Sequence, residues 1–128
     1  MSTINALILE DDPNSLEILA RLLKAHQITS VGVDDPAKID DVLSQSPSID
    51  LVFLDLEMPN MDGYEVLAYL RKRIGTNVRV IACTVHVNEI NHARERGFDG
   101  FIGKPLKPAK FPDQLQRLLA GQQVWEAK

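Results

Sequence analysis

The chain has 128 residues, 45% of them hydrophobic and 25% charged, with a net charge of −4: the size and balance of one soluble globular domain with a single core. The mild acidity leaves no basic footprint for direct nucleic-acid binding. No run of 18 apolar residues offers a membrane span, and the N-terminal MSTINALILEDD lacks the basic start of a signal peptide. One cysteine, Cys83, has no partner for an internal disulfide, so the expected compartment is the cytoplasm.

Residues 4–9 are a short apolar run that ends in Glu10-Asp11-Asp12, and they read as a first strand. Three adjacent acids repel one another unless a cation is near. Pro13 suits a first helical turn, and Leu16, Leu19, Ala20 and Leu23 set an amphipathic helix over 14–26. A second strand follows at 28–33 and a second helix at 37–44, with Ile39, Val42 and Leu43 apolar. Ser46-Pro47-Ser48 is a loop. The stretch 50–54 begins with one acid and then runs apolar without alternation, as a strand buried on both faces does; it delivers Asp55 to its carboxyl end.

After the turn-rich Met58-Pro59-Asn60-Met61-Asp62-Gly63, a third helix is predicted over 63–74 with Val66, Leu67 and Leu70 inward. A fourth strand, 78–83, ends on Thr84. Residues 87–96 form a polar helix closed by Gly97. The fifth strand, 101–103, ends on Lys104-Pro105. The last helix lies within 108–120, with Phe111, Leu115, Leu118 and Leu119 inward and a ragged first turn because of Pro108 and Pro112. Strand and helix alternate five times, which predicts an α/β fold: a doubly wound parallel sheet of five strands with helices on both faces. The domain is expected over 1–121, with a tail at 122–128.

In such a sheet the carboxyl ends of the strands lie side by side, and ligands bind there. Asp11, Asp12, Asp55, Thr84 and Lys104 all fall on that edge. Three carboxylates suit a hard divalent cation such as Mg²⁺, which needs only one or two of them plus a phosphate. A hydroxyl and an ammonium opposite suit phosphoryl oxygens, and Asp55 is the candidate nucleophile. Each residue alone has an ordinary structural explanation; their joint occurrence at successive strand ends does not.

The stretches LILEDDPNS, LVFLDLEMPNMDG, VIACT and FIGKP resemble the response-regulator receiver domain of two-component phosphorelays, a stand-alone CheY-like receiver over residues 4–120. The resemblance implies the flavodoxin-like strand order 2-1-3-4-5 with five helices. It implies that Asp55 accepts a phosphoryl group from a histidine kinase or phosphotransfer protein, with Mg²⁺ held by Asp12 directly, Asp11 through water, Asp55, and the Glu57 backbone carbonyl. Thr84 would close on the phosphoryl group, Lys104 would pair with it, and the Lys104–Pro105 bond would be cis. Phe101 takes the switch-aromatic position, expected to turn inward from a more exposed one. A downstream protein would read the fourth helix, fifth strand and fifth helix. The expected function is a phosphorylation-dependent signalling switch, enzymatic only in its own phosphorylation and dephosphorylation; a phosphotransfer intermediate in a multistep relay is the alternative.

The chain departs from the family pattern in places. Val85 stands where a smaller residue is usual and narrows access to Asp55. Glu57 adds a charge at a position that modulates phosphoryl lifetime. The span 84–97 is about two residues short, which bears on the fourth helix. Cys83 reads as a small buried residue, His26 and His92 as solvated, and His86 as a surface-loop residue near the site mouth. Trp125 either packs back on the domain or marks a self-association contact. A haloacid-dehalogenase-type phosphatase would need Asp rather than Glu57 and a cap insertion. An FMN carrier would not tolerate Glu10-Asp11-Asp12 beside its phosphate.

Overall fold

The computed structural model describes residues 4–45, 48–59 and 61–127. The strands are β1 (Asn5–Leu9), β2 (Thr29–Val33), β3 (Leu51–Leu54), β4 (Arg79–Thr84), β5 (Gly100–Gly103) and β6 (Val124–Glu126). The helices are α1 (Pro13–Lys24), α2 (Ile39–Gln45), α3 (Gly63–Ile74), α4 (Ile90–Glu95) and α5 (Phe111–Leu119). All strand pairings are parallel, in the order β2-β1-β3-β4-β5-β6. The expected doubly wound order is present, but the sheet has six strands rather than five: part of the predicted tail is its edge. Ser46, Pro47 and Asn60, assigned above to loops, lie outside the described residues.

Unbroken apolar runs are explained by a core on each face of the sheet. Side chains alternate along a strand. Leu7, Leu9, Val52, Leu54, Val80, Ala82 and Phe101 therefore share one core with α2, α3 and α4. Ala6, Ile8, Leu51, Phe53, Ile81, Ile102 and Val124 share the other with α1 and α5. Burying the larger of these side chains stabilises the fold by about 1.5–3 kcal/mol each, before the entropy cost of ordering the chain.

Three predicted helices differ from their observed forms for local reasons. Asp35 accepts a hydrogen bond from the Ala37 amide at 2.9 Å and Pro36 fixes the next φ, so a 3-10 turn, Pro36–Lys38, precedes α2. The predicted helix 87–96 is a 3-10 turn, Val87–Glu89, followed by a six-residue α4, and neither start carries a side-chain cap. The segment around Pro108 is a turn, and α5 begins only at Phe111, with Pro112 in its first turn. Leu119, predicted inward, is exposed at the last position of α5; Phe111, Leu115 and Leu118 are buried.

The loop after β3 owes its shape to two residues. Asp62 caps α3 by accepting from the Tyr64 amide at 2.9 Å. A Cβ on Gly63 would come within 2.7 Å of Leu56 Cδ2 and 3.2 Å of its Cα, so only glycine lets the loop fold back against the helix start. Asp55 is thereby held at the end of β3, its amide donating to Leu9 O at 3.0 Å.

Candidate functional site

Four strand ends build the site. Glu10 follows β1 and is 4% exposed; Asp55 follows β3 and is 7% exposed. Thr84 closes β4 and is fully buried, and Lys104 follows β5, its amide donating to Thr84 O at 2.8 Å. The Lys104 ammonium pairs with Glu10 and lies 3.3 Å from Asp55 Oδ2. Ligand oxygens of Glu10, Asp11 and Asp55 all lie within 4.8 Å of one another. That all-oxygen, acid-rich donor set fits a hard divalent cation such as Mg²⁺.

The residues expected above to hold the metal do not all stand together. Asp12 is not in the cluster. It is the N-cap of α1, with one carboxylate oxygen accepting from Asn14 N at 3.3 Å and the other from Ser15 Oγ at 2.9 Å. The Ser15 hydrogen bond holds the Asp12 carboxyl below its ordinary value. Glu10 stands in the cluster instead, and the sequence reading did not name it as a site residue. The signal was present: Asp12-Pro13-Asn14-Ser15 is a capped helix start, which uses the Asp12 side chain locally.

Burial raises the Glu10 carboxyl above its ordinary value, and Asp55 beside it adds to this; the Lys104 ammonium opposes the shift. Desolvation works against the charge on Lys104, but Glu10 and then Asp55 outweigh it, so the ammonium titrates above its usual value. Two carboxylates crowd one ammonium, and further positive charge is favourable there.

The remaining predicted residues frame this centre. The Glu57 amide donates to Asp55 Oδ1 at 2.9 Å, fixing that carboxylate. His86, read above as a surface-loop residue, approaches Glu57 Oε1 to 2.5 Å, joining the loops after β3 and β4. Its amide donates to Thr84 Oγ1 at 3.2 Å. Val85 is 60% exposed and forms one wall of a cleft of about 220 Å³, along with Ile18, Leu106, Pro105, Lys104 and Asp55. The Lys104–Pro105 peptide is cis. Cys83 lies beneath the cleft, fully buried, its thiol pushed up to about 12 by burial, so it is a packing residue and not a nucleophile.

Phe101, expected to start partly exposed, is fully buried. It stands opposite Trp125 of β6 in the ladder. Trp125 packs against the same core, with the Arg94 guanidinium 4.5 Å from its ring centroid. Of the two readings left open for Trp125, the structure shows the first: it packs back on the domain.

The response regulator receiver domain family matches residues 6–116. The chain belongs to that family. It is 32% identical over 92% of its length to the nitrate/nitrite response regulator protein NarL of Escherichia coli strain K12, covering 56% of that protein. It is also 32% identical, over 87% of its length, to hybrid signal transduction histidine kinase L of Dictyostelium discoideum, covering 7% of it. The chain thus spans only part of these curated relatives. Among solved structures, a CheY-like response regulator receiver domain from Methylobacillus flagellatus superposes with a TM-score of 0.78 at 26% identity, covering 91% of this chain and 99% of that one. Receiver domains are signalling switches of two-component systems rather than ordinary enzymes, and they accept phosphoryl groups from histidine kinases. Among the described residues, no helix is long and apolar enough to cross a membrane.

Proposed function

We propose that this receiver domain is a phosphorylation-dependent switch with Asp55 as phosphoacceptor. The observation that carries the reading is the convergence of Glu10, Asp11 and Asp55 on one point with Lys104 beside them. Asp11 and Asp55 would hold Mg²⁺, with the Glu57 carbonyl as a further ligand and Glu10 balancing charge behind them. When bound, the ion neutralises phosphoryl oxygens. A carboxylate oxygen of Asp55 forms the bond to phosphorus as the bond to the donor's imidazole nitrogen breaks. Lys104 moves from Asp55 Oδ2 onto a phosphoryl oxygen. The Thr84 hydroxyl, which accepts from the His86 amide at 3.2 Å, turns to donate to another phosphoryl oxygen.

The donor is a histidine kinase or phosphotransfer protein, and the readout is the surface of α4, β5 and α5, with β6 now part of it. The buried free thiol of Cys83 agrees with the reducing cytoplasm as its compartment. No observation favours the alternative, a relay intermediate. Incubation with acetyl phosphate and Mg²⁺ tests the reading: intact-mass spectrometry should find one added phosphoryl group on the wild type and none on Asp55→Asn. Equal addition to both would remove Asp55 from the role.

A further inference from the structure

The strand at the sheet edge lies beyond the residues that the family matches: the match ends at residue 116, and β6 is Val124–Glu126. Without it, β5 would present an open row of backbone donors and acceptors. With it, Gly100 stands opposite Val124, Phe101 opposite Trp125 and Ile102 opposite Glu126. Two glycines admit the strand. A Cβ on Gly100 would lie 3.0 Å from Val124 O, and one on Gly103 would overlap the Ala127 carbonyl. Val124 is fully buried, Trp125 lies under Arg94, and Glu126 accepts from the buried Gln114 at 2.9 Å and from Arg117. A three-residue strand at the sheet edge opens at lower free energy than the core strands.

Gly103 is where this strand meets the site. It pairs with Thr84 in the β4–β5 ladder, immediately precedes Lys104, and has Ala127 against its outer side. We propose that residues 124–127 are a cis-acting strap whose seating on β5 is coupled through Gly103 to the state of Asp55; this rests on Asp55 being the phosphoacceptor. Lys104 Nζ is 3.3 Å from Asp55 Oδ2. A phosphoryl group on Asp55 needs that space, so the lysine retreats toward its own backbone. Ala127 leaves Gly103 no room to follow, and the strap lifts. Its release uncovers the β5 edge and the flank of Phe101, and makes the strap itself the moving part of the readout. By linkage, a variant that unseats the strap also favours the phosphorylated state.

Trp125 is the chain's one tryptophan, so its fluorescence reports the strap alone. The test is acrylamide quenching of the full chain with and without Mg²⁺ and beryllofluoride, a phosphoryl mimic, while ¹⁹F NMR on the same sample reports bound mimic. Mimic binding should raise the quenching constant at least twofold, and Gly103→Ala should raise it similarly with no mimic present. If Gly103→Ala does not fold, Arg94→Ala, which removes a surface anchor, should show the same mimic-free rise. Bound mimic with quenching unchanged or reduced overturns the strap coupling and leaves the phosphoacceptor reading standing. No bound mimic in the wild type overturns both. Wild-type quenching in the folded variants overturns the seat described for the strap.

Discussion

Lys104 neutralises Glu10, a carboxylate only 4% exposed, and the same ammonium reaches to 3.3 Å from Asp55. One cation therefore serves a structural pair and the proposed phosphoacceptor. Lys104→Ala should leave Glu10 buried without its counter-charge and lower stability by about 3 kcal/mol. Replacing both partners, with Glu10→Gln and Lys104→Met, should recover more than half of that loss, since no uncompensated charge remains at Glu10. Urea unfolding of the wild type and both variants is the check. A double variant no better than the single would mean that the pair is not what stabilises this edge.

The two acids after Glu10 should separate cleanly. Asp11→Asn removes an oxygen of the metal set and should weaken Mg²⁺ binding at least tenfold with little effect on stability. Asp12→Ala removes the α1 cap and should cost about 1 kcal/mol while leaving Mg²⁺ affinity within a factor of two. Magnesium titrations followed by NMR, beside urea midpoints, distinguish them. The reverse pattern would restore Asp12 to the metal site.

The edge strand should respond to acid. Glu126 is held below its ordinary carboxyl value, first by the Gln114 hydrogen bond and then by Arg117. A carboxyl depressed in the folded state contributes stability that is present above the unfolded value, 4.5, and lost as pH falls through the folded one. Trp125 quenching should therefore rise below pH 4.5 before the far-ultraviolet circular dichroism changes. In Glu126→Gln that early rise should disappear. Simultaneous loss of both signals in the wild type would tie β6 to the global core.

Much of this molecule was legible in the sequence because buried parallel strands leave plain marks. The run before Asp55 could only be a strand covered on both faces, and the acids, Thr84 and Lys104 then fell on one edge by topology alone. What was misread has physical causes. Asp11 and Asp12 read as the metal pair because adjacent acids look alike; Asp12 also caps α1 through Asn14 and Ser15, local contacts that compete with the metal reading. Val124–Glu126 is too short to show a strand period, and the residues that seat it, Gly100 and Gly103, carry no side chain to announce a partner. Phe101, which stands opposite that unseen strand in the ladder, is buried in the core. His86 pairs with Glu57 from a loop whose path no periodicity encodes.

Thr84 should prove dispensable for accepting the phosphoryl group but not for answering it. Its hydroxyl accepts from the His86 amide at 3.2 Å and, in the proposed mechanism, turns to the phosphoryl oxygens. Thr84→Ala should still gain one phosphoryl group by intact mass. It should lose more than half of the chemical-shift response around Phe101 and Trp125 when beryllofluoride binds. A full response in the variant would send the signal through Lys104 and Gly103 alone.

The central claim is that Asp55 carries the phosphoryl group, and reductive trapping reads it at the residue. An aspartyl phosphate is reduced by borohydride to the corresponding alcohol, so the modified aspartate becomes homoserine. After incubation with acetyl phosphate and Mg²⁺, reduction and peptide mass mapping should find homoserine at position 55. Its appearance instead at Asp11 or Asp12, or its absence from a protein that intact mass shows to be phosphorylated, would contradict the account.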